Sequence, residues 1–423
     1  MMAESTGWRR TRIGDLGRVV TGKTPPTKRR ELYGDKYPFI TPTDISDGSH
    51  RARPTRFLSE GGCRYQQRHL LPANAVCYTC IASVGKICIT TEPSFTNQQI
   101  NSIVVDSSDY DHRFIYHLLR HETERIKGLA SGAATPIINK SAFSDIEIFV
   151  PPLSTQCKIA AILSAYDDLV ENNTRRIAIL EDMAQTIYRE WFVHFRFPGH
   201  EQVAMVDSQL GPIPEGWEVV KLGDIAEINA ISIRKNEAPE EINYVNISSV
   251  STGRIEKMEL MAFENAPSRA RRVVGHGDII WSTVRPNRRS YCLLLDPVPS
   301  MIVSTGFAVI TARTVPYTYL YHALTTDEFV EYLTNNATGA AYPAVNRGDF
   351  EKADVLLPPS ELLALFHSII VDLFEQKDNL HRKSEVLRRT RALLLPRLIS
   401  GELDVSELEI SGAELDGETE SVT

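Results

Sequence analysis

Two stretches of the chain repeat their apolar residues with the period of a long helix. The positions Leu163, Tyr166, Val170, Asn173, Ile177, Leu180, Ala184, Ile187 and Trp191 advance by alternating steps of three and four, a heptad seam broken once by a polar Asn173. Later, Leu373, Leu380, Leu387 and Leu394 recur every seven residues, flanked by Ile370 and Leu398. Each pattern predicts an amphipathic helix of roughly 40 residues and ~60 Å. A diproline precedes each helix, at Pro151 and Pro152 and at Pro358 and Pro359. Pro biases the residue before it away from helical geometry and is tolerated only in a first turn, so each diproline marks a helix start. A seam this long suits pairing with another long helix better than packing on its own domain.

Elsewhere the apolar runs are short. Lys86 to Thr90, Ile100 to Val105, Asp278 to Trp281 and Met301 to Ile310 are bounded by Gly, Pro, Asn and Ser and read as strands. Helical patterns are interspersed at Arg113 to Gly128 and Tyr317 to Leu333, which makes each globular part α+β.

The chain also matches itself at an offset of about 207 residues. Trp8 with Ile13, Gly14, Asp15 and Leu16 recurs as Trp217 with Leu222, Gly223, Asp224 and Ile225; Phe114, Ile115, Tyr116 and His117 return as Tyr319, Leu320, Tyr321 and His322. Gly132, Ala133, Ala134, Thr135 and Pro136 return as Gly339, Ala340, Ala341, Tyr342 and Pro343. Two copies of this length are too few for a solenoid, so the chain holds two related globular units, each followed by a long helix. The boundaries read as 1–150 for the first unit, 151–200 for its helix, 201–357 for the second unit, 358–400 for the second helix and 401–423 for an acidic tail.

Composition narrows the class without changing this plan. With 423 residues, 42% hydrophobic and 24% charged, the chain is an ordinary globular protein of two or three domains. Its longest uncharged runs, Leu70 to Gly85 and Pro297 to Ala312, hold Pro and Ser and fall short of the ~20 apolar residues of a membrane helix, so we expect no membrane partner and a cytoplasmic location. Six irregularly spaced cysteines read as reduced thiols.

The chain resembles the specificity subunits of type I restriction-modification systems. The resemblance rests on Gly22, Lys23, Thr24 and Pro25; the Gly-Ala-Ala-x-Pro segments; Val150 to Leu153 leading into the first helix; Trp191 to Phe195 ending it; Gly211 to Trp217 opening the second unit; and Leu398 to Leu403 near the end, all in the family's order. It implies an α+β fold of two duplicated target-recognition domains separated by two long helices that pair as an antiparallel coiled coil. Each domain would read one half of a bipartite sequence in double-stranded DNA, and the helices would set the gap and dock partners. The implied partners are two adenine methyltransferase subunits and two ATP-dependent restriction subunits acting as translocase and nuclease, and the subunit itself is expected to be non-catalytic, prokaryotic and without cofactor. Family members commonly carry Glu-Gln just after the diproline; this chain has Thr155 and Gln156, then Leu362 and Leu363.

Enzyme readings fare worse on the residues. Gly17 to Thr24 satisfies a phosphate-loop pattern, but that loop needs a helix starting at its Lys-Thr, and Pro25 and Pro26 block one. Cys77 and Cys80 form a C-x-x-C with Cys63 and Cys88 nearby, yet the second copy places Ile280, Thr283 and Tyr291 there, so buried strand thiols are expected instead of a metal site. No Asn-Pro-Pro-Tyr occurs to hold a target amine, and Glu375, Gln376 and Lys377 mimic a nuclease motif on a helix that offers no metal-binding strand edge.

Groups able to reach DNA are clustered Arg and Lys with neighbouring amides. The first unit offers Lys28, Arg29, Arg30, Arg51, Arg53, Arg64, Lys86, Asn97, Gln98 and Gln99; the second offers Arg269, Arg271, Arg272, Arg285, Asn287, Arg288 and Arg289. A net charge of −8 does not argue against DNA once it is divided: residues 1–150 carry +5, while residues 358–423 carry −6, much of it in the tail.

Overall fold

The structure is a computed structural model and describes residues 7–46, 49–131, 136–234 and 238–409. It divides into two compact units, one made of residues 1–175 with 381–423 and the other of residues 176–380. Each long helix is therefore shared: its two halves belong to different units.

In unit 1 a four-stranded antiparallel sheet runs in the order Gly17–Thr21, Ile100–Val105, Val76–Thr79, Ile87–Ile89. A second sheet places Tyr33–Gly34, Phe57–Leu58, Tyr37–Ile40 and Phe95–Thr96 side by side, the last two parallel. The first sheet is covered on both faces, so Val76–Thr79 and Ile87–Ile89 are buried along their whole length. Val76, Tyr78 and Ile103 face the helix His112–His121, while Cys77, Cys88 and Ile100 face a smaller apolar cluster with Ile40 and Leu71. Asp111 caps that helix by accepting from the amides of Arg113 and Phe114.

Unit 2 repeats this order with Ala226–Ile228, Phe307–Ala312, Ile279–Ser282 and Tyr291–Leu293. Its second sheet keeps the parallel pair, Glu241–Val245 beside Met301–Ser304, but differs at the margin. Here Ala270–Val273 pairs with Met301–Ser304, whereas in unit 1 the added strand lies against Phe57–Leu58. The run expected as one strand over Met301 to Ile310 is two, broken by a turn at Thr305 and Gly306. The helix expected over Tyr317 to Leu333 is likewise two, Tyr317–Ala323 and Asp327–Asn336, the second capped by Thr326.

The long helices are Leu153–Tyr188, continued by a wide π-helical turn Arg189–Val193, and Ser360–Ile399. Gln156, at the first start, is fully buried; its amide donates to the carbonyls of Asp109 and Pro151 and accepts from the Asp111 N–H. Gln156 thus clasps the helix start to the loop before His112–His121, and Leu363 fills the matching place in unit 2 with apolar contact. Among the described residues no helix is long and apolar enough to cross a membrane.

Within each unit the two helix halves run antiparallel against each other. In unit 1, Ile159, Ala160 and Leu163 from the first helix and Leu395, Leu398 and Ile399 from the second join one core with Phe114, Ile115 and Leu118. The segment after the second helix closes it: Val405 is buried, and Gly401, with a φ of +74°, brings its backbone against the Trp8 indole. In unit 2, Ala184, Tyr188 and Phe192 meet Leu363, Phe366, Ile370 and Phe374 around Tyr319.

The seam differs from the heptad reading at alternate positions. Leu163, Val170, Ile177 and Ala184 are buried as expected, but Tyr166, Leu180 and Ile187 are only half-buried, and Asp167 and Tyr188 take the inward places. On the second helix Leu380 is buried while Leu373, Leu387 and Leu394 lie at the edge, and Phe374, Ser384, Arg391 and Leu395 point inward. The physical reason is that these helices bury a broader stripe than a two-stranded seam, because each also packs on a globular unit.

The deepest polar contact of unit 1 lies in that stripe. Asp167 pairs with Arg391, both almost wholly buried, and Asp167 also approaches Nε2 of the buried His117 at 3.8 Å. Burial and the nearby Arg120 and Arg391 push His117 well below the usual imidazole range, so it is neutral and the contact is no ion pair. Burial likewise draws Arg391 down to about 10, still protonated at neutral pH. In unit 2 the repeat-related His322 meets the rings of Tyr188, Phe366 and Phe374 instead.

Two outcomes follow. Leu398→Ala, at a position 2% exposed, should cost about 2–5 kcal/mol and shift the denaturant transition of unit 1 while leaving that of unit 2 in place. Burial, with a smaller contribution from Lys377, lowers His322 to about 3. A neutral form favoured only in the folded state stabilises above pH ~6.5 and is lost as pH falls toward the folded value. The stability of unit 2 should therefore fall between pH ~6.5 and about 3, and urea midpoints of His322→Phe should show a flatter pH profile over that window.

Candidate nucleic-acid interface

In both units the hairpin between the third and fourth strands of the main sheet is tied at its tip to two other segments. In unit 1, Cys80 N–H donates to the Gln99 carbonyl (2.7 Å), Ile138 N–H to the Cys80 carbonyl (2.9 Å), and Ala82 N–H to the Pro136 carbonyl (3.0 Å). In unit 2, Thr283 N–H donates to Gly306 (2.9 Å), Val345 N–H to Thr283 (2.9 Å) and Arg285 N–H to Pro343 (2.7 Å). Isolated bridges Ile81 with Ile137 and Val284 with Ala344 complete the match. The repeated Gly-Ala-Ala-x-Pro segment is thus the strap that holds the hairpin tip; Gly132 to Thr135 lie outside the described residues, and Pro136 is where the strap is seen in unit 1.

The rim formed by these segments gathers part of the cationic set. In unit 1, Thr24 lies beside Gln98, with Thr24 Oγ1 2.5 Å from Gln98 Oε1. The loop at Gly22 can lie there only without a side chain, since a Cβ on Gly22 would stand 2.2 Å from the Asn97 carbonyl oxygen. Lys23 and Arg29 both sit over the half-exposed ring of Tyr65, each about 5.2 Å from its centre. Lys28, Arg30 and Arg64 are exposed beside them.

Other expected residues are engaged elsewhere. Asn97 is buried, its amide donating to Gln99 Oε1 (2.9 Å) and its oxygen accepting from the Gln99 N–H (3.1 Å), so of the three amides only Gln98 faces outward. Arg53 reaches Glu171 on the first long helix (3.3 Å), Lys86 Nζ donates to the Pro42 carbonyl (2.8 Å), and Arg51 is exposed beside Ile89 on the sheet's outer strand.

In unit 2, Arg269 is exposed and its carbonyl accepts from Thr305 N–H, which sets it next to the 304–306 turn. Arg285, Asn287, Arg288 and Arg289 form the hairpin tip around the single turn Pro286–Arg288. Arg289 pairs with Asp327, and Asn287 and Arg288 point to solvent. Arg271 and Arg272 are tied to their own strand's surroundings. Arg271 lies 5.1 Å over Phe263, and Arg272 donates to Ser232 Oγ (2.8 Å), where burial, reinforced by Arg347, lowers its pKa.

The residues that carried the enzyme alternatives do not converge. Gly17–Thr21 is a strand and no helix starts at Lys23. Cys77 and Cys88 face each other across the sheet, Cys80 points into the opposite core, burial raising its thiol to about 11, and Cys63 lies in a third cluster. Lys377 pairs with Glu181 against the Phe374 ring.

Lys23, Thr24 and Tyr342 were marked in the sequence as motif or repeat positions but not as DNA-facing groups, and Tyr65 was not marked at all. The signal available was weak: an aromatic or basic residue beside a proline in a turn, differing between copies where the turn itself repeats.

Comparison with known proteins places this architecture. The family model described as the type I restriction modification DNA specificity domain matches residues 5–182 and again 214–387. The chain belongs to the type I restriction-modification DNA specificity family. It is 27% identical over 414 residues to the specificity subunit of the type I restriction enzyme MjaIX from Methanocaldococcus jannaschii, covering 95% of this chain and 94% of the relative. To the HindI specificity subunit of Haemophilus influenzae it is 42% identical over 148 residues, 34% of this chain and 32% of that one. The crystal structure of a type I restriction-modification S subunit from M. genitalium shares the fold, with a TM-score of 0.60 at 17% identity over 94% of this chain and 97% of the other.

The amides separate two roles that a melt can distinguish. Asn97→Ala should cost about 1–3 kcal/mol by leaving buried turn groups unpaired, whereas Gln98→Ala should leave the melting temperature of unit 1 nearly unchanged.

Proposed function

We propose that the chain is the DNA sequence-specificity subunit of a type I restriction-modification complex, each unit reading one half of a bipartite target. The observation that carries this reading is the conserved hairpin-and-strap frame whose outward side chains differ between copies: Ala82 and Gln98 in one, Arg285 and Thr305 in the other. A repeated frame with exchanged tips suits the reading of two different half-sites, since base edges are distinguished by side-chain donors and acceptors.

In this reading residues 1–150 and 201–357 are the recognition domains, residues 151–200 and 358–400 supply the spacer, and residues 401–423 are an acidic tail. The DNA-facing set is Lys28, Arg29, Arg30, Arg64 and Gln98 in the first domain and Arg269, Arg285, Asn287 and Arg288 in the second. Arg51, Arg53, Lys86, Asn97, Gln99, Arg271, Arg272 and Arg289 serve to hold the frame. The helices carry exposed apolar residues, Leu169, Ile179, Met183, Val386 and Leu393, which suit docking of two adenine methyltransferase subunits. Two restriction subunits would join that assembly in the cytoplasm, and the chemistry would belong to the partners, this subunit acting without catalysis of its own.

The rigid spacer supplies the test. Inserting seven residues into each helix, after Arg175 and after Leu380, keeps the inward stripe in phase and adds about 10 Å of helix, equivalent to about three base pairs. Modified-base sequencing should then show both half-sites unchanged with a longer gap between them. Altered half-sites would sink the reading, and so would methylation with no sequence preference, the outcome expected of a scaffold that holds partners without reading DNA.

A further inference from the structure

Among the described residues, Arg285 is the rim cation that combines three features. Its backbone is left-handed, with a φ of +52°, and Arg289 at the far side of the turn is left-handed too, at +54°. A non-glycine residue held there stores strain, which persists only where surrounding structure over-determines it. The strap does this by accepting the Arg285 N–H at Pro343 (2.7 Å). The side chain is fixed as well: Nη2 donates to the Ala341 carbonyl (3.0 Å), and the guanidinium lies 4.7 Å from the centre of the Tyr342 ring, which is itself 70% exposed. Its remaining donors meet no hydrogen-bond partner among the described residues.

A phosphate can be met by any cation within reach and carries no sequence information, so an aimed and stacked guanidinium has most to contribute at a base edge. A guanidinium whose plane and direction are set beforehand, with a donor edge left open, is suited to the paired acceptors O6 and N7 of guanine in the major groove. Unit 1 supplies an internal contrast. Ala82 holds the same place, with the same left-handed backbone (φ +62°) and the same bond to the strap, yet has no donor to offer.

We propose that Arg285, stacked on Tyr342 and strapped at the hairpin tip of unit 2, reads a guanine in the half-site of that unit, and that the equivalent tip of unit 1 reads no base by hydrogen bonds from its own side chain at Ala82. The inference rests on the reading of unit 2 as a DNA-recognition domain. It makes Tyr342 a positioning residue, and it assigns to the strap the work of aiming the arginine.

The experiment uses the full chain assembled with its methyltransferase partner and reads the motif by modified-base sequencing, together with binding to duplexes varied at each base pair of the unit 2 half-site. Loss of any sequence preference in the unaltered complex would defeat the DNA-recognition reading itself, which separates that failure from failure of the present proposal. Arg285→Ala and Arg285→Lys should each relax one G·C pair of the unit 2 half-site, reducing discrimination there by about 5- to 150-fold, with the other half-site intact. Lys keeps the charge but not the planar fork, so a motif preserved in Arg285→Lys, or an even loss of affinity across all duplexes, would show a phosphate contact and overturn the proposal. Tyr342→Ala should weaken the same base preference and no other; relaxation at several positions, or none, would count against it. A thermal melt of each variant, matched to the parent within a few degrees, keeps a folding defect from imitating the result, and Arg285→Gly, which removes the backbone strain, supplies a folded variant if alanine does not.

Discussion

The structure depends on one constraint: each long helix must serve two cores at once. The first half of Leu153–Tyr188 packs in unit 1 and the second half in unit 2, while Ser360–Ile399 runs the other way. A helix that faces both a partner helix and a globular unit needs a wide inward stripe, and it is this width that displaces the burial from a narrow leucine ladder to Phe374, Ser384, Arg391 and Leu395. The register of the pair is marked differently in the two units. In unit 1 it is a buried ion pair, Asp167 with Arg391; at the positions about 207 residues away, unit 2 has Phe374 and Ala184. A buried charge pair is a weak source of net stability, because desolvation offsets the attraction, but each partner is costly to leave alone. Its effect is to penalise every register in which Asp167 meets something other than Arg391.

The duplicated units show how a frame can be kept while its readout changes. Strand order, the parallel pair of the second sheet, the strap on the hairpin tip and the His117 or His322 position are common to both. What differs lies at the rim and margin: the added strand of the second sheet, Gln98 against Thr305, and Ala82 against Arg285. The common features are backbone hydrogen bonds and buried apolar contacts, which do not depend on the outward side chains. That separation lets one copy change its rim without risk to its core.

Much of this was legible in the sequence, and the parts that were not have a common cause. The duplication, the diproline starts and the two long helices are carried by patterns local to the chain, and they emerged at nearly the right residues. The inward places of Asp167 and Arg391 were not legible, because charged residues are expected outside until the partner, 224 residues away, is known. The same holds for Asn97, buried in its own turn, and for Arg53, held by Glu171: composition marks them as cationic or amide groups, but only tertiary structure says which are already occupied. Tyr342 is the opposite case, an aromatic that a helix or strand pattern would place in a core and that the strap instead leaves in solvent beside Arg285.

The closure of unit 1 by Leu395, Leu398, Ile399 and Val405 also has a consequence in time. A ribosome delivers the chain in sequence order, at ~5–20 residues per second, so the apolar face at Leu163 emerges about 240 residues before the segment that covers it. For roughly 12 to 50 seconds the first unit waits uncovered while the second, which ends at residue 380, is being made. The core of the first unit can thus be completed only after the whole second unit has been made, and its early residues wait longest for the segment that shelters them from chaperones, proteases and neighbouring nascent chains.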